Sequence, residues 1–187
     1  VYKRQAKNMI STFFFQLLNK INGGASRPSN IEPMKTRKVG ILGAGMMGQG
    51  IAYVSAMAGI EVVLKDISQE AADKGKAYTE TLLKKRIARG QMDEAKAKSV
   101  LDLILPTDKN EDLNGCDLII EAVFENIALK HKITQELEPC LSEDGFWGSN
   151  TSTLPITQLA EASAKPENFI GCLLHTSDAA DDLVGVD

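Results

Sequence analysis

Apolar and polar residues along this chain follow two rhythms, and the switches between them mark the elements. Between residues 6 and 21 the apolar positions are Met9, Ile10, Phe13, Phe14, Leu17, Leu18 and Ile21. That broad stripe at helical spacing predicts an amphipathic helix with a face to bury. Residues 22–33 (NGGASRPSNIEP) are rich in glycine, proline and polar groups and predict a linker. A helix and linker ahead of a domain carry the expectation that something once preceded them.

The rhythm then changes to short apolar runs separated by amphipathic stretches. Residues 38–42 (KVGIL) predict a buried parallel strand, and the helix that follows, 45–58, stops at Gly59, a good C-cap residue. Residues 61–65 (EVVLK) predict a second strand, closed by Asp66. Ser68 caps a helix with an acidic first turn that runs to about residue 89 and stops at Gly90, and a second helix over 93–102 completes a hairpin. Residues 117–123 (DLIIEAV) predict a central strand, 127–141 a helix, and 145–149 a strand entering the loop Asn150-Thr151-Ser152. A last helix spans 155–162, with Pro155 in its first turn. Strands alternating with helices predict an α/β fold: a doubly wound parallel sheet with a helical hairpin insertion and an N-terminal linker helix. The expected divisions are 1–35, 36–171 and a tail from 172 to 187.

Composition narrows the function classes. A chain of 187 residues, 43% hydrophobic, can bury one substantial core. Its 21 basic and 25 acidic residues give a net charge of −4, with no whole-chain basicity for nucleic acid. Cys116, Cys140 and Cys172 have neither disulfide-framework density nor metal-ligand spacing, so a reducing compartment and no metal are expected. No apolar run spans a bilayer and no signal peptide is visible, which places the expectation in the cytoplasm.

The sharpest chemistry lies at Gly43–Gly48 (GAGMMG), directly after a predicted strand and at the opening of a helix. Gly43 permits the tight turn, Gly45 lets backbone approach a pyrophosphate, and Gly48 lets helix and strand pack closely. The helix N-terminus then offers unpaired N–H groups and a partial positive charge to phosphate. Asp66, eighteen residues past Gly48 and at the end of the next strand, is placed to accept hydrogen bonds from the adenosine ribose hydroxyls. Its charge opposes the additional phosphate of NADP, so the unit 39–66 reads as a Rossmann βαβ element for NAD. FAD, which uses a similar fingerprint, remains open on these residues alone.

Wider motifs carry a resemblance. KVGILGAGMMGQGIAYVSAMAG from Lys38, DLIIEAVFEN from Asp117, SNTSTLPI from Ser149 and PENFIG from Pro166 together resemble the NAD-binding domain of 3-hydroxyacyl-CoA dehydrogenases. The form resembled is the one in the multifunctional α-subunit of fatty acid β-oxidation, and nearly all of residues 6–171 takes part. The resemblance implies oxidation of a 3-hydroxyacyl-CoA with hydride passing to NAD. It implies that Met47 and Asp66 contact the cofactor, and that Val123, Phe124 and Glu125 form the loop beside the nicotinamide ribose. By the same resemblance Lys130 bonds that ribose, Asn150 lies in the cofactor site, and Ser152 stands between the nicotinamide and the substrate hydroxyl in a supporting catalytic role. The N-terminal helix resembles the connector from an enoyl-CoA hydratase domain, and the relatives work with a thiolase subunit. A non-catalytic nucleotide-binding module, or another Rossmann hydroxy-acid dehydrogenase, are the competing readings. Lys84, Lys85, Arg86 and Arg89 suit coenzyme A phosphates or, more simply, a solvated helix end.

One departure bears on catalysis. Hydride transfer requires a base for the hydroxyl proton, and the resembled family places a histidine where this chain has Leu173. His175 falls two places late, and His131 reads as a surface helix residue. The expectation is a chain that holds NAD without turnover. Both termini also read as foreign. Codons GTG TAT AAG AGA CAG for residues 1–5 resemble a sequencing adapter end. Its reverse complement, read one base out of register, nearly encodes residues 172–176, so about 6–171 is the expected natural part.

Overall fold

The computed structural model describes residues 2–18, 20, 30 and 34–172. The chain divides into two compact units, Val1–Lys35 and Thr36–Asp187. In the first, α1 (Tyr2–Met9) continues into a π-helical stretch, Ile10–Leu17, whose wider turns the apolar spacing did not announce. Helix therefore begins four residues before the expected start and takes in Tyr2–Gln5, part of the segment read as foreign. Met9, Ile10, Leu17 and Leu18 of the predicted stripe are exposed, as is Phe15 beside it. The expected linker lies outside the described residues except for Asn30, as do residues 173–187 of the expected tail.

The second unit is a six-stranded parallel sheet with helices on both faces, as the alternation of elements predicted. Its strands are β1 (Lys38–Leu42), β2 (Glu61–Lys65), β3 (Ile104–Thr107), β4 (Cys116–Glu121), β5 (Leu141–Ser149) and β6 (Phe169–Gly171), ordered β3-β2-β1-β4-β5-β6. The helices are α2 (Met46–Met57), α3 (Gln69–Ala88), α4 (Glu94–Asp102), α5 (Ile127–Leu137) and α6 (Ile156–Ala160). Side chains alternate across each strand. Val39, Ile41, Val62, Leu64 and Ile104 pack with Ile51, Ala52, Leu83 and Val100 on one face. Leu42, Val63, Ile119 and Trp147 pack with Leu113, Leu137, Leu159 and Phe169 on the other.

Local signals account for most boundaries. Ser68 Oγ accepts the Ala71 N–H at 3.2 Å, and Asp93 Oδ1 accepts that of Lys96 at 2.6 Å, so both helices of the hairpin start on capped turns. Gly59 and Gly90 take positive φ after the helices they end.

Other boundaries differ from expectation. β3 and β6 were not predicted. β3 is four residues with Pro106 inside, tolerated because the strand lies at the sheet edge. β4 starts and ends earlier than 117–123, leaving Ala122 and Val123 to the following loop. Pro139 lacks an N–H, so α5 stops at Leu137, a 3-10 turn covers Glu138–Cys140, and β5 begins at Leu141 rather than 145. α6 is shorter than expected, with Pro155 as its N-cap. Cys172, the first residue of the expected tail, is buried, and its N–H bonds the Ser149 carbonyl at 3.0 Å.

Candidate functional site

The sheet reverses direction of growth at β1, which pairs with β2 on one side and β4 on the other. In open α/β sheets ligands bind beyond the strand carboxyl ends at such a switch point. There the turn from β1 to α2 carries the glycine motif. Gly43 has φ of +95°, and its N–H bonds the Lys65 carbonyl at 2.8 Å; a Cβ on it would stand 2.7 Å from the Ala122 carbonyl oxygen. A Cβ on Gly48 would fall 1.7 Å from the Gly43 carbonyl oxygen, so the first turn of α2 rests directly on the loop. A Cβ on Gly45 meets nothing within 4 Å. Gly45 is also the α2 N-cap and brings no side chain to cover the first-turn amides, which an α-helix leaves without intrahelical partners. This arrangement fits a pyrophosphate. Met47 is half-buried in the same turn, and Met46 is 80% exposed.

Asp66 closes the cradle from β2. Its Oδ2 accepts the Ala44 N–H at 2.6 Å and its Oδ1 accepts the Ile67 N–H at 2.7 Å. The carboxylate is thus oriented by the glycine loop itself while remaining partly exposed. Leu42, Gly43, Lys65, Asp66, Ile67 and Val123 contribute to a cleft of about 220 Å³ whose far wall is α5. That cleft continues the cradle along the side on which Asp66 stands.

The other half of the site comes from the loops after β4 and β5. Phe124 is 87% exposed. Asn126 Oδ1 caps α5 by accepting the Leu129 N–H at 2.9 Å, and Glu125 Oε2 accepts the Thr151 hydroxyl at 2.7 Å. Asn150 is largely buried, and its N–H bonds the Glu121 carbonyl at 2.9 Å. Ser152 is exposed beside it. Gly43, Gly45, Met47, Gly48, Asp66, Val123, Phe124, Glu125, Asn150 and Ser152 therefore all lie at or just beyond the same carboxyl edge.

Lys130, to which the resemblance gave the nicotinamide ribose, has partners within the protein. Its side chain is 2% exposed, and its Nζ lies 2.7 and 2.9 Å from the two carboxylate oxygens of Glu121, with the Val123 carbonyl at 3.5 Å. Ser149 donates its hydroxyl to Glu121 Oε1 at 2.8 Å. The sequence reading missed Glu121, Ser149 and Thr151. The only local signal was an acid inside the apolar run DLIIEAV.

Outside this edge His131, Arg86 and Lys84 have local partners. His131 Nε2 lies 2.9 Å from the Gln158 carbonyl, on the α5–α6 flank. Arg86 donates to the Tyr53 hydroxyl at 3.0 Å and Lys84 pairs with Glu80 within α3. Burial pushes the Cys116 and Cys172 thiols up to about 11. Among the described residues no helix is long and apolar enough to cross a membrane.

The family model for "3-hydroxyacyl-CoA dehydrogenase, NAD binding domain" matches residues 38–177. The fatty acid oxidation complex subunit alpha of Shewanella halifaxensis is 38% identical over 172 residues, covering 91% of this chain and 24% of that protein. The same subunit of Idiomarina loihiensis is 38% identical over 151 residues, 81% of this chain and 21% of that one. The chain thus spans about a quarter or less of these curated relatives. Among solved structures, the (S)-3-hydroxybutyryl-CoA dehydrogenase of Ralstonia eutropha superposes with a TM-score of 0.70 at 39% identity, covering 73% of this chain and 48% of that one. The 3-hydroxybutyryl-CoA dehydrogenase of Escherichia coli does so with a TM-score of 0.71 at 30% identity, covering 74% and 29%.

Proposed function

The chain belongs to the 3-hydroxyacyl-CoA dehydrogenase NAD-binding domain family, and on that premise we propose that it is the NAD-holding half of a β-oxidation dehydrogenase. The carrying observation is the open cradle over Gly45 with Asp66 fixed beside it. Glycine-loop and α2 amides hold the pyrophosphate, aided by the positive end of the helix. Asp66, with one lone-pair direction on each oxygen taken by a backbone N–H, presents the remaining ones to the adenosine ribose. Its charge repels a ribose phosphate, which selects NAD over NADP, while the choice of NAD over FAD rests on the match to an NAD-binding domain family.

Bound NAD supplies the hydride acceptor. Val123, Phe124, Glu125 and Asn150 flank its nicotinamide end, and Ser152 orients the hydroxyl of a 3-hydroxyacyl-CoA. The proton of that hydroxyl needs a base. Among the described residues the only histidine, His131, is spent on the Gln158 carbonyl, and Leu173 fills the position where the resembled family has its histidine. That observation favours a second reading for this chain taken by itself: it binds NAD and does not turn over. On the resemblance of its motifs, an enoyl-CoA hydratase domain upstream, a thiolase partner and a cytoplasmic location complete the proposal. The genomic sequence flanking residues 6–171 tests the first of these.

NADH fluorescence titration of the chain and of Asp66→Ala tests the cradle. The expected result is saturable binding that weakens at least about tenfold in the variant, the scale for losing a charge-assisted bond. Equal affinity would remove the ribose assignment. NADH formation from 3-hydroxybutyryl-CoA by this chain would show that the base is present after all.

A further inference from the structure

Glu121 is the last residue of β4 and is fully buried. Its carboxylate takes two hydrogen bonds from the Lys130 ammonium and one from the Ser149 hydroxyl. Lys130 lies in the first turn of α5 and Ser149 ends β5, so one side chain fastens three elements. Each fastened point adjoins a loop of the site. The third direction of the ammonium reaches the Val123 carbonyl at 3.5 Å, and the Glu121 carbonyl accepts the Asn150 N–H. A second clasp, Thr151 to Glu125, joins the same two loops farther out, and the Thr151 hydroxyl oxygen also accepts the Leu154 N–H at 3.0 Å.

Stability does not explain these charges. Two buried ions lose their hydration, and an apolar pair of similar volume is often as stable or more so. What an apolar pair cannot do is hold the Val123 carbonyl and the end of β5 in one fixed relation. Catalytic and binding loops lose their geometry quickly when their support is loosened.

We propose that Glu121 is a positioning residue for the nicotinamide half of the site: through Lys130 and Ser149 it sets the loops 122–126 and 150–154 before cofactor arrives. This rests on the reading of the chain as an NAD-binding domain. The adenosine half, built on Gly43–Gly48 and Asp66, does not depend on it. NADH and ADP therefore report on the two halves separately.

The test compares the parent chain with Glu121→Leu/Lys130→Met, measuring thermal unfolding and the affinities for NADH and for ADP. The expected double variant unfolds within about 4 °C of the parent, binds ADP within about twofold, and binds NADH about tenfold more weakly. NADH and ADP affinities that are both unchanged, or weakened by the same factor, overturn the proposal. Should the double variant not fold, Ser149→Ala keeps the ion pair and removes the bond to β5. It is expected to weaken NADH about threefold and leave ADP unchanged, and equal effects on the two ligands again overturn the positioning role. A parent chain that binds neither ligand sinks the NAD reading itself, and the positioning role with it.

Discussion

Gly45 and Gly48 lie three residues apart in one motif, yet the structure assigns them separable duties, and alanine substitutions should separate them. At Gly48 the added Cβ would stand 1.7 Å from the Gly43 carbonyl oxygen and 2.9 Å from its carbon. Carbon and oxygen in ordinary contact sit about 3.3 Å apart, so α2 must lift by roughly 1.5 Å, or Gly43 must move while held to the Lys65 carbonyl. Overpacking of this kind costs about 1–3 kcal/mol where flexible side chains can yield. Here the obstruction is backbone, so the upper figure applies. For a domain of this size about 3 kcal/mol corresponds to a fall of roughly 6–12 °C in Tm. NADH binding falls with it, because the helix amides leave the cradle.

At Gly45 the same methyl group meets no protein atom within 4 Å, and φ of −68° is open to alanine. The folded state loses the preference of glycine over alanine at an N-cap, about 0.5–1 kcal/mol, which a gain of about 0.4–1 kcal/mol from a stiffer unfolded chain largely offsets. Tm should therefore hold to within about 3 °C. The methyl group stands where the pyrophosphate must approach backbone, so NADH affinity should fall by about tenfold or more. Thermal unfolding and NADH titration on both variants check the pair. A Gly45→Ala variant that binds NADH like the parent would refute the cradle, and a Gly48→Ala variant of unchanged Tm would refute the close packing.

Three further outcomes follow from named contacts. Lys130→Met leaves the Glu121 carboxylate buried without its cation, and urea unfolding should show a loss of about 3–5 kcal/mol; a loss under about 1 kcal/mol would show that the pair matters little to the fold. Ser68→Ala removes the cap of α3, and its cost of about 1 kcal/mol should appear in the same assay. Burial raises the Cys116 and Cys172 thiols from 9.0 to about 11, so the unfolded chain gives up these protons first. Unfolding then releases protons between about pH 9 and 11, and the urea midpoint should fall as pH rises through that window. A midpoint that rises there contradicts the assignment, as does rapid labelling of both thiols by iodoacetamide in the folded protein at pH 8.

What was legible in the sequence was whatever local physics decides. β1, α2 and β2 were read to within a residue, because an apolar run, a glycine turn and a glycine stop each act over a few positions. β3 escaped because ILPT follows a helix directly and contains a proline, which reads as a break unless the strand is known to be at an edge. β6, three residues long, offers too few positions for a period to show. The site divides in the same way. The glycines and Asp66 carry their own spacing rule. Glu121 finds Lys130 nine residues later and Ser149 twenty-eight later, and nothing short of the sheet brings them together. For Lys130 the motif gave the residue but not its surroundings: its side chain is buried against Glu121, a partner that only the sheet brings near.

The register of the sheet explains why the chemistry collects at one edge. The last residues of all six strands stand side by side: Thr107, Lys65, Leu42, Glu121, Ser149 and Gly171. One residue deeper the row reads Pro106, Leu64, Ile41, Ile120, Gly148 and Ile170, with no polar side chain. Thr107, Glu121 and Ser149 are all buried, and each unpaired polar group there would cost about 1–3 kcal/mol. They are tolerable because they bond one another or a neighbouring turn, Thr107 to Asp112 and Ser149 to Glu121. A parallel sheet brings helix N-termini to this same edge, so α2 and α5 add outward amides and partial positive charge. The apolar row beneath holds the strands in register, and the polar row above it inherits that register. A cofactor laid along this edge meets loops whose starting points are spaced by strand pairing.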